Sequence, residues 1–504
     1  MPPPQQGNAS AGVDVFRNET FGNEHFWTDA VRLPQGILAA KLTPNQALAL
    51  GLNVDLKRVP ITITLHVAVQ LLFDHSGKSS SVLNNPNVTP RLLNANAIIG
   101  FAAKDSNGDG RIDVTKGDKV GATCALCHTR IGFDVLRVPE GGAIGFRHDG
   151  EATHGLDFGT IVAAGQNSKA LFPALQLALK ANGGKTLGRA ATGLTADSTE
   201  AEVDAYLRDK NAYPVGMFDD SVDGNGDPMH NSALFRQDLA GPYGTEGAIA
   251  KLENFSNLVY TALFDPTTLT TPGGRAFLRK LGGDAAGTEI ADEYVRVLAD
   301  TGVTGYPYVK AAPPANPADA GSEEYPVGLR VDNRKLLDLN AFMASRPAPK
   351  GKRGGNSGDI ARGRAEFTSA GCTSCHNVDQ NKPVPGFIVP MKTIFPGDNP
   401  VVLLDHRQPP LNPILNTPES IFDDKMAVVN ASMRGEVRGI AMPLLLDLHH
   451  KPNLLHDNSV PSLDALLDPT RGSQAPHPFY VSDPQRRTQV VAFLNSLTAT
   501  RASR

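Results

Sequence analysis

The 504-residue chain contains four cysteines, and they fall into two matching arrangements: Cys124-Ala-Leu-Cys127-His128 and Cys372-Thr-Ser-Cys375-His376. C-x-x-C-H is the attachment signature of a c-type haem. Two thiols three residues apart reach the two vinyl groups along one edge of a porphyrin, and the adjacent imidazole meets the iron from the proximal face. Other chemistry of paired cysteines fits less well. Zinc knuckles do not require a histidine directly after each pair. A thioredoxin-type pair wants a βαβ setting, which neither neighbourhood shows. Structural disulfides would not favour one five-residue pattern twice. The sequence therefore predicts two covalently bound haem c groups, held by Cys124, Cys127, Cys372 and Cys375, with His128 and His376 as iron ligands.

Attachment fixes where an iron sits; its sixth ligand decides what it does. An iron capped by Met or by a second His carries electrons, whereas an open one takes up a small oxidant. Opposite His376, Met442 is a candidate, because Met-Pro is common at the axial ligand of small c-type cytochromes and a thioether raises the potential. His449, His450 and His456, all within fourteen residues of Met442, compete with it. Loop histidines are also commonly no more than solvated. Opposite His128, the run from Arg147 to His154 gathers Arg147, His148, Glu151 and His154 into eight positions. Glu151 as a base beside the Arg147 cation would suit cleavage of a peroxide bond. Equally, His148 or His154 would close the iron, or bond to a haem propionate together with Arg147.

A second kind of site is written in Asp105-Ser-Asn107-Gly-Asp109-Gly-Arg-Ile-Asp113, which matches the first nine positions of an EF-hand calcium loop. Position twelve is Lys116 rather than the bidentate Glu, which leaves a residue such as Asp118 to complete the shell. Asp223-Gly-Asn225-Gly-Asp227, preceded by Asp219 and Asp220, is a weaker copy. A plain Asp/Gly turn is the competing reading of both. Calcium is thus a second candidate cofactor.

Composition narrows the partners. Charged residues make up 20% and the formal net charge is -4, so nothing marks a nucleic-acid surface. No apolar run approaches the ~18 residues of a membrane span. Haem c is attached outside the cytoplasm in bacteria, so a periplasmic or secreted location is expected. The opening Met1-Pro-Pro-Pro-Gln-Gln-Gly has neither a basic nor an apolar region, so the signal peptide is expected to have been removed. The first ten or so residues read as disordered.

The elements that must hold the motifs are read from periodicity. Residues 1–115 form an N-terminal extension, with helical patches near 36–50 and 90–100. Ile61, Ile63, Leu65, Val67 and Val69 alternate with other residues at period two, which predicts a strand. Residues 116–347 form a first haem domain, with helical spacing in 168–181, 246–263, 291–299 and 335–345. A Pro/Gly-rich linker over 347–358 leads to a second haem domain, 356–504, with helices over 359–370 and 484–497. Leu339-Asn-Ala-Phe342-Met-Ala-Ser345 and Val490-Val-Ala-Phe493-Leu-Asn-Ser496 read as the closing helices of two repeated units. The first unit is the longer, by an insertion of roughly one hundred residues, more than a plain loop needs. The fold class expected is mainly α: two cytochrome c-like haem domains with long loops, plus an extension of limited β structure.

Residues 335–500 resemble the second haem domain of the bacterial dihaem cytochrome c peroxidase superfamily, which also includes the enzyme maturing the methylamine dehydrogenase cofactor and, more distantly, the rubber oxygenases. The resemblance is carried by Ala361-Arg-Gly363-x-x-x-Phe367 leading into Cys372-x-x-Cys375-His376, by Met442-Pro443-Leu-Leu445 with Leu455-His456-Asp457-Asn458-Ser459, and by Ala492-Phe493-Leu494. Asn458 and Leu454 stand where the family has glycine and tyrosine, and Met442 where it has a small β-branched residue. The family's tryptophan between the haems has no counterpart near either motif, since the single tryptophan is Trp27. The resemblance implies electron transfer with peroxidase-like reduction of an oxidant at the N-terminal haem, and calcium between the domains. A small redox carrier protein and a small oxidant such as peroxide are the expected partners. The alternatives are a non-catalytic dihaem electron carrier and a dioxygenase similar to the rubber oxygenases.

Overall fold

A computed structural model describes residues 6–499 apart from 72–73, 75, 140, 185, 187–189, 191, 225, 227, 245–246, 248, 353, 385–387, 391–438, 456–457 and 473–476. The chain is mainly helical, with short β-ladders and a three-stranded sheet among the described residues. No helix among them is long and apolar enough to cross a membrane.

Two helix crossings organise it. The helix Ala9–Asn18 is started by Asn8, whose side chain accepts from the Ser10 and Ala11 amides. Its buried face is Gly12, Val15 and Phe16, at helical spacing. That face lies on the helix Asn333–Ser345. The helices meet so closely that a Cβ on Gly12 would stand 1.9 Å from the Asp338 carbonyl oxygen and 2.7 Å from Phe342 Cβ. Only glycine permits this approach. The helices Ser357–Ser369 and Pro484–Ser496 cross in the same way: a Cβ on Gly363 would stand 1.9 Å from the Gln489 carbonyl oxygen and 2.9 Å from Phe493 Cβ. The aromatic pairs repeat as well, Phe16 on Phe342 at 5.2 Å and 58°, and Phe367 on Phe493 at 5.7 Å and 60°.

The first unit's crossing is opened by Gly12-x-x-x-Phe16, far from Cys124 in sequence. The expected boundary near 115 passes through the middle of an apolar core that reaches from Phe26 to Val327. What was expected to be an extension supplies the first unit's opening helix. That helix begins at Ala9, within the ten residues expected to be disordered; residues 1–5 lie outside those described.

A second correction concerns 61–69, which is a helix, Ile61–Leu71, and not a strand. Apolar residues at every second position contain i, i+4 sets as well as i, i+2 sets. Here Ile63 and Val67 turn inward, while Ile61, Leu65 and Val69 form an outer stripe, 68%, 59% and 56% exposed. Elsewhere the helices fall near their expected places: Leu252–Leu258, Asp284–Asp300, Asn333–Ser345, Ser357–Ser369 and Pro484–Ser496. Ser168–Ala174 is a 3-10 helix with Pro173 inside it, because proline cannot donate to an α-helical ladder. The 347–358 linker is pinned: the Lys352 amide donates to the Asn495 carbonyl at 2.7 Å and the Gly351 amide to Thr498 Oγ1 at 2.9 Å.

The units differ in bulk. The first has the large core and a smaller one around Phe16, Cys124, Tyr260 and Phe342. The described core of the second comprises Phe367, Leu454, Val460, Leu463, Leu467, Val481, Val490, Phe493, Leu494 and Leu497.

Candidate cofactor sites

The first motif is a single helical turn, Ala125–His128, between two strands, Lys119–Ala122 and Thr129–Arg137. Cys124 is buried and its Sγ lies 3.2 Å from the Tyr260 hydroxyl. Tyr260 is also buried, on the wide turn Val259–Leu263. Both thiols are free. Burial pushes them up, Cys124 to about 11 and Cys127 to about 12, so they stay protonated. His128 Nδ1 lies 2.7 Å from the Ser232 carbonyl oxygen, so Nδ1–H donates there and Nε2 is left as the bare acceptor. Burial lowers His128 to about 4, against the pull of that hydrogen bond, and keeps the imidazole neutral.

Beyond the motif, the strands Thr129–Arg137 and Ala143–Asp149 form a hairpin in which Arg130 faces His148 and Ile131 faces Arg147. Side chains alternate across a strand, so Arg147 and His148 cannot share a face. Arg147 turns inward, its Nε donating to Asp149 Oδ1 at 2.7 Å, with Asp55 at 3.8 Å. Arg17 reaches the same Asp149 at 2.6 Å. Burial works against the Asp149 carboxylate, but Arg147 and Arg17 outweigh it and hold its pKa below the usual range. Glu151 lies in a different group: Arg130 at 2.6 Å and His148 Nδ1 at 2.9 Å. The expected pairing of Glu151 with Arg147 is therefore not made, and Arg130 takes the cation's place. Burial would raise the Glu151 carboxyl; His148 and Arg130 together bring it below its ordinary value. His148 in turn is raised, chiefly by its bond to Glu151.

This group is attached to the motif's own backbone. The Gly150 amide donates to the His128 carbonyl at 2.8 Å and the Thr153 amide to the Cys127 carbonyl at 2.9 Å. His154, next along, is lowered to about 4, by burial first and then by Lys451 and Arg130. Lys451 comes from the second unit, and its Nζ lies 3.0 Å from His230 Nε2. The two units thus meet beside the first motif.

The second motif follows its helix directly, as Cys372–Ser374 after Ser357–Ser369. The His376 ring has Phe367 at 6.3 Å and His477 at 6.2 Å, the latter tilted by 43°. Both histidines have a buried Nδ1 without a hydrogen-bond partner. Burial lowers both, His477 to about 3. His477 was missed in the sequence because it sits between prolines in a stretch with no periodicity. Met442 is buried just beyond the strand Gly439–Ala441. The His449 and His450 rings lie 3.7 Å apart, tilted by 40°, and the His450 Nδ1 bonds to Asp447 at 2.5 Å. Burial lowers His449, and the His450, Lys352 and Arg130 charges add to that. His456 lies outside the described residues.

The Asp105–Asp113 loop joins the strands Phe101–Lys104 and Lys119–Ala122. Its oxygens are engaged by its own backbone: Asp105 accepts from Gly108 and Gly110, Asn107 from Asp109, Asp109 from Arg111, and Asp113 from Thr115. Asp118 accepts from the Ser106 and Asp113 amides. Asn225 and Asp227 of the second such loop lie outside the described residues. Trp27 is a core residue, edge-on to Phe101 and Phe158.

The residues fit the group that the motifs imply. Each motif presents two unpaired thiols and a neutral imidazole. At the first motif the outer nitrogen of that imidazole is fixed by a carbonyl, as metal-bound histidines usually are. At the second, two buried nitrogens lack any partner. No family model and no curated protein matches the chain. Among solved structures, a chain of Kuenenia stuttgartiensis hydrazine synthase pressurised with 20 bar xenon is 14% identical, with 62% of this chain and 84% of that chain covered and a TM-score of 0.26. A TM-score that low does not amount to a shared fold, and the reading below rests on the chain's own geometry.

Proposed function

We propose that this is an exported c-type cytochrome with two covalently held haem c groups, which passes electrons from a small redox carrier protein to a small oxidant such as peroxide, reduced at the first motif. The observation that carries the reading is the doubled frame: two glycine-to-carbonyl helix crossings with the same aromatic pair, each sharing an apolar cluster with the first cysteine of a C-x-x-C-H motif. The resemblance of residues 335–500 to the dihaem peroxidases adds to it.

A haem held by Cys124, Cys127 and His128 would supply an iron that changes oxidation state where the small oxidant is reduced. The chain's residues do the rest. Ser232 orients His128. Reduction of a peroxide to water consumes two electrons and two protons. His148, 59% exposed at its side chain and bonded to Glu151, is the group placed to hold and pass a proton. Glu151, kept ionised by Arg130 and His148, positions that imidazole.

The test begins with co-expression alongside c-haem maturation machinery, followed by mass and haem-content measurement. Two haems per chain are expected, one lost in Cys124→Ala/Cys127→Ala and the other in Cys372→Ala/Cys375→Ala. A chain that leaves that host without haem overturns the proposal. Peroxide added to the half-reduced holoprotein then tests the catalytic half: reoxidation with turnover is expected, and inertness would leave an electron carrier.

A further inference from the structure

We infer that His477 is the second axial partner at the second motif, so that this site is closed by two imidazoles, His376 and His477. The inference rests on the two-haem reading and adds to it a ligand that the sequence did not suggest.

The first argument is spacing. Imidazole nitrogens stand ~2 Å from a bound metal ion, which puts the ring centres of two opposed imidazoles on one ion ~6 Å apart. The His376 and His477 rings are 6.2 Å apart. The two rings neither stack nor share a hydrogen bond, so contact between them does not set that separation. The second argument is polar accounting. Buried nitrogens without partners are rare and call for an explanation. Both rings have one, at Nδ1, so neither Nδ1 is held by a described protein group.

Third, His477 occupies a backbone conformation that ordinary residues avoid. Its φ is +54°, and proline follows it. A bulky residue held in the left-handed region is uncommon and tends to mark a functional position. The loop is anchored after it. The Val481 amide donates to the Leu467 carbonyl at 3.0 Å, and Val481 joins the second core. Arg487 Nη1, on the closing helix, donates to the Val481 carbonyl at 3.2 Å. The Phe479 ring stands edge-on to His477 at 5.3 Å. One side of the site thus hangs from the helix Ser357–Ser369 and the other from the segment that enters Pro484–Ser496.

The consequence is a division of labour. A site closed by two histidines exchanges electrons and excludes small ligands, so the oxidant is left to the first motif. Met442 is the competing ligand, and the two are told apart by spectroscopy of the full-length holoprotein. Wild type is expected to show the low-spin EPR signal of two-histidine ligation and to lack the sulfur-to-iron charge-transfer absorption of a Met-ligated haem. His477→Gly should lose that low-spin signal, added imidazole should restore it, and His477→Met should shift the second midpoint potential upward. Met442→Ala should leave the signal in place. If haem is present at Cys372 and Cys375 but His477→Gly leaves the spectrum unchanged, or if Met442→Ala removes a sulfur charge-transfer band, the inference fails and the two-haem reading stands. If mass measurement finds no haem on those cysteines in wild type, both fail together.

Discussion

The two units use one frame for two purposes. In each, a glycine lets two helices touch backbone to backbone, and a phenylalanine pair fills the crossing. Around the first, the chain adds a large core, sets the motif between strands, and attaches a charged group, Arg130, Glu151 and His148, to the motif's own carbonyls. Around the second, the described residues form a smaller core, and the neighbour of the motif histidine is another neutral imidazole. The crossing is a scaffold, and the chemistry is decided by what the connecting segments bring to it.

The largest effect that would break this comparison is a difference in melting. Phe493→Ala should cost about 3–5 kcal/mol and unfold the second unit, with its smaller core, ahead of the first. Phe342→Ala should cost a similar amount but be absorbed by a unit with far more buried surface. Two separated calorimetric transitions for Phe493→Ala are expected; a single transition shifted equally by both variants would show the units to be one cooperative body. Removing the charge of Asp149, buried between Arg147 and Arg17, should cost about 3 kcal/mol, because the buried Arg147 keeps only the longer Asp55 contact at 3.8 Å. The wild-type contribution of Asp149 follows the depressed-carboxylate rule: present above the unfolded pKa and lost as pH falls through the lower folded value. Acid denaturation of Asp149→Asn should therefore begin from lower stability and show a flatter acid limb.

Smaller effects sharpen the likeness. Gly12→Ala and Gly363→Ala each force a Cβ against a carbonyl and should cost about 1–3 kcal/mol by overpacking. Matching costs in denaturant melts support equivalent crossings, and a tolerated Gly12→Ala would remove the first unit from the comparison. The smallest change is Glu151→Gln, read by NMR titration of His148. The His148 pKa is raised in the fold, so its link to Glu151 stabilises fully below the unfolded value and is lost as pH rises through the folded one. The variant should bring the His148 titration down to below the ordinary histidine value, because only burial and the Arg130 and Arg346 charges remain and all of them lower it.

The motifs were legible because a C-x-x-C-H spacing is local and survives in one dimension. The closing helices were legible for a similar reason, since Phe342 and Phe493 sit in matching heptapeptides. What failed was whatever depended on distant partners. Gly12-x-x-x-Phe16 belongs with Asn333–Ser345, but more than a hundred residues lie between it and Cys124, and a search beside the motif does not find it. Arg147 and Glu151 are close in sequence, yet strand alternation and a turn at Gly150 send them to different partners. His477 announces nothing in the sequence, because its place beside His376 comes from the fold and from no periodicity. In 61–69 one pattern satisfied two periods, and packing chose between them.

The crossings also set an order of events during synthesis. Gly12 and its carbonyl partner are 326 positions apart, against 126 for Gly363 and Gln489. At a translation rate of ~5–20 residues per second, the helix Ala9–Asn18 waits on the order of tens of seconds before its partner exists. Its apolar face, Val15 and Phe16, therefore waits longer for its cover than Phe367 does for Phe493. The long first unit, for all its larger core, has the more exposed nascent chain, and its closure is the step at which a chaperone would matter most.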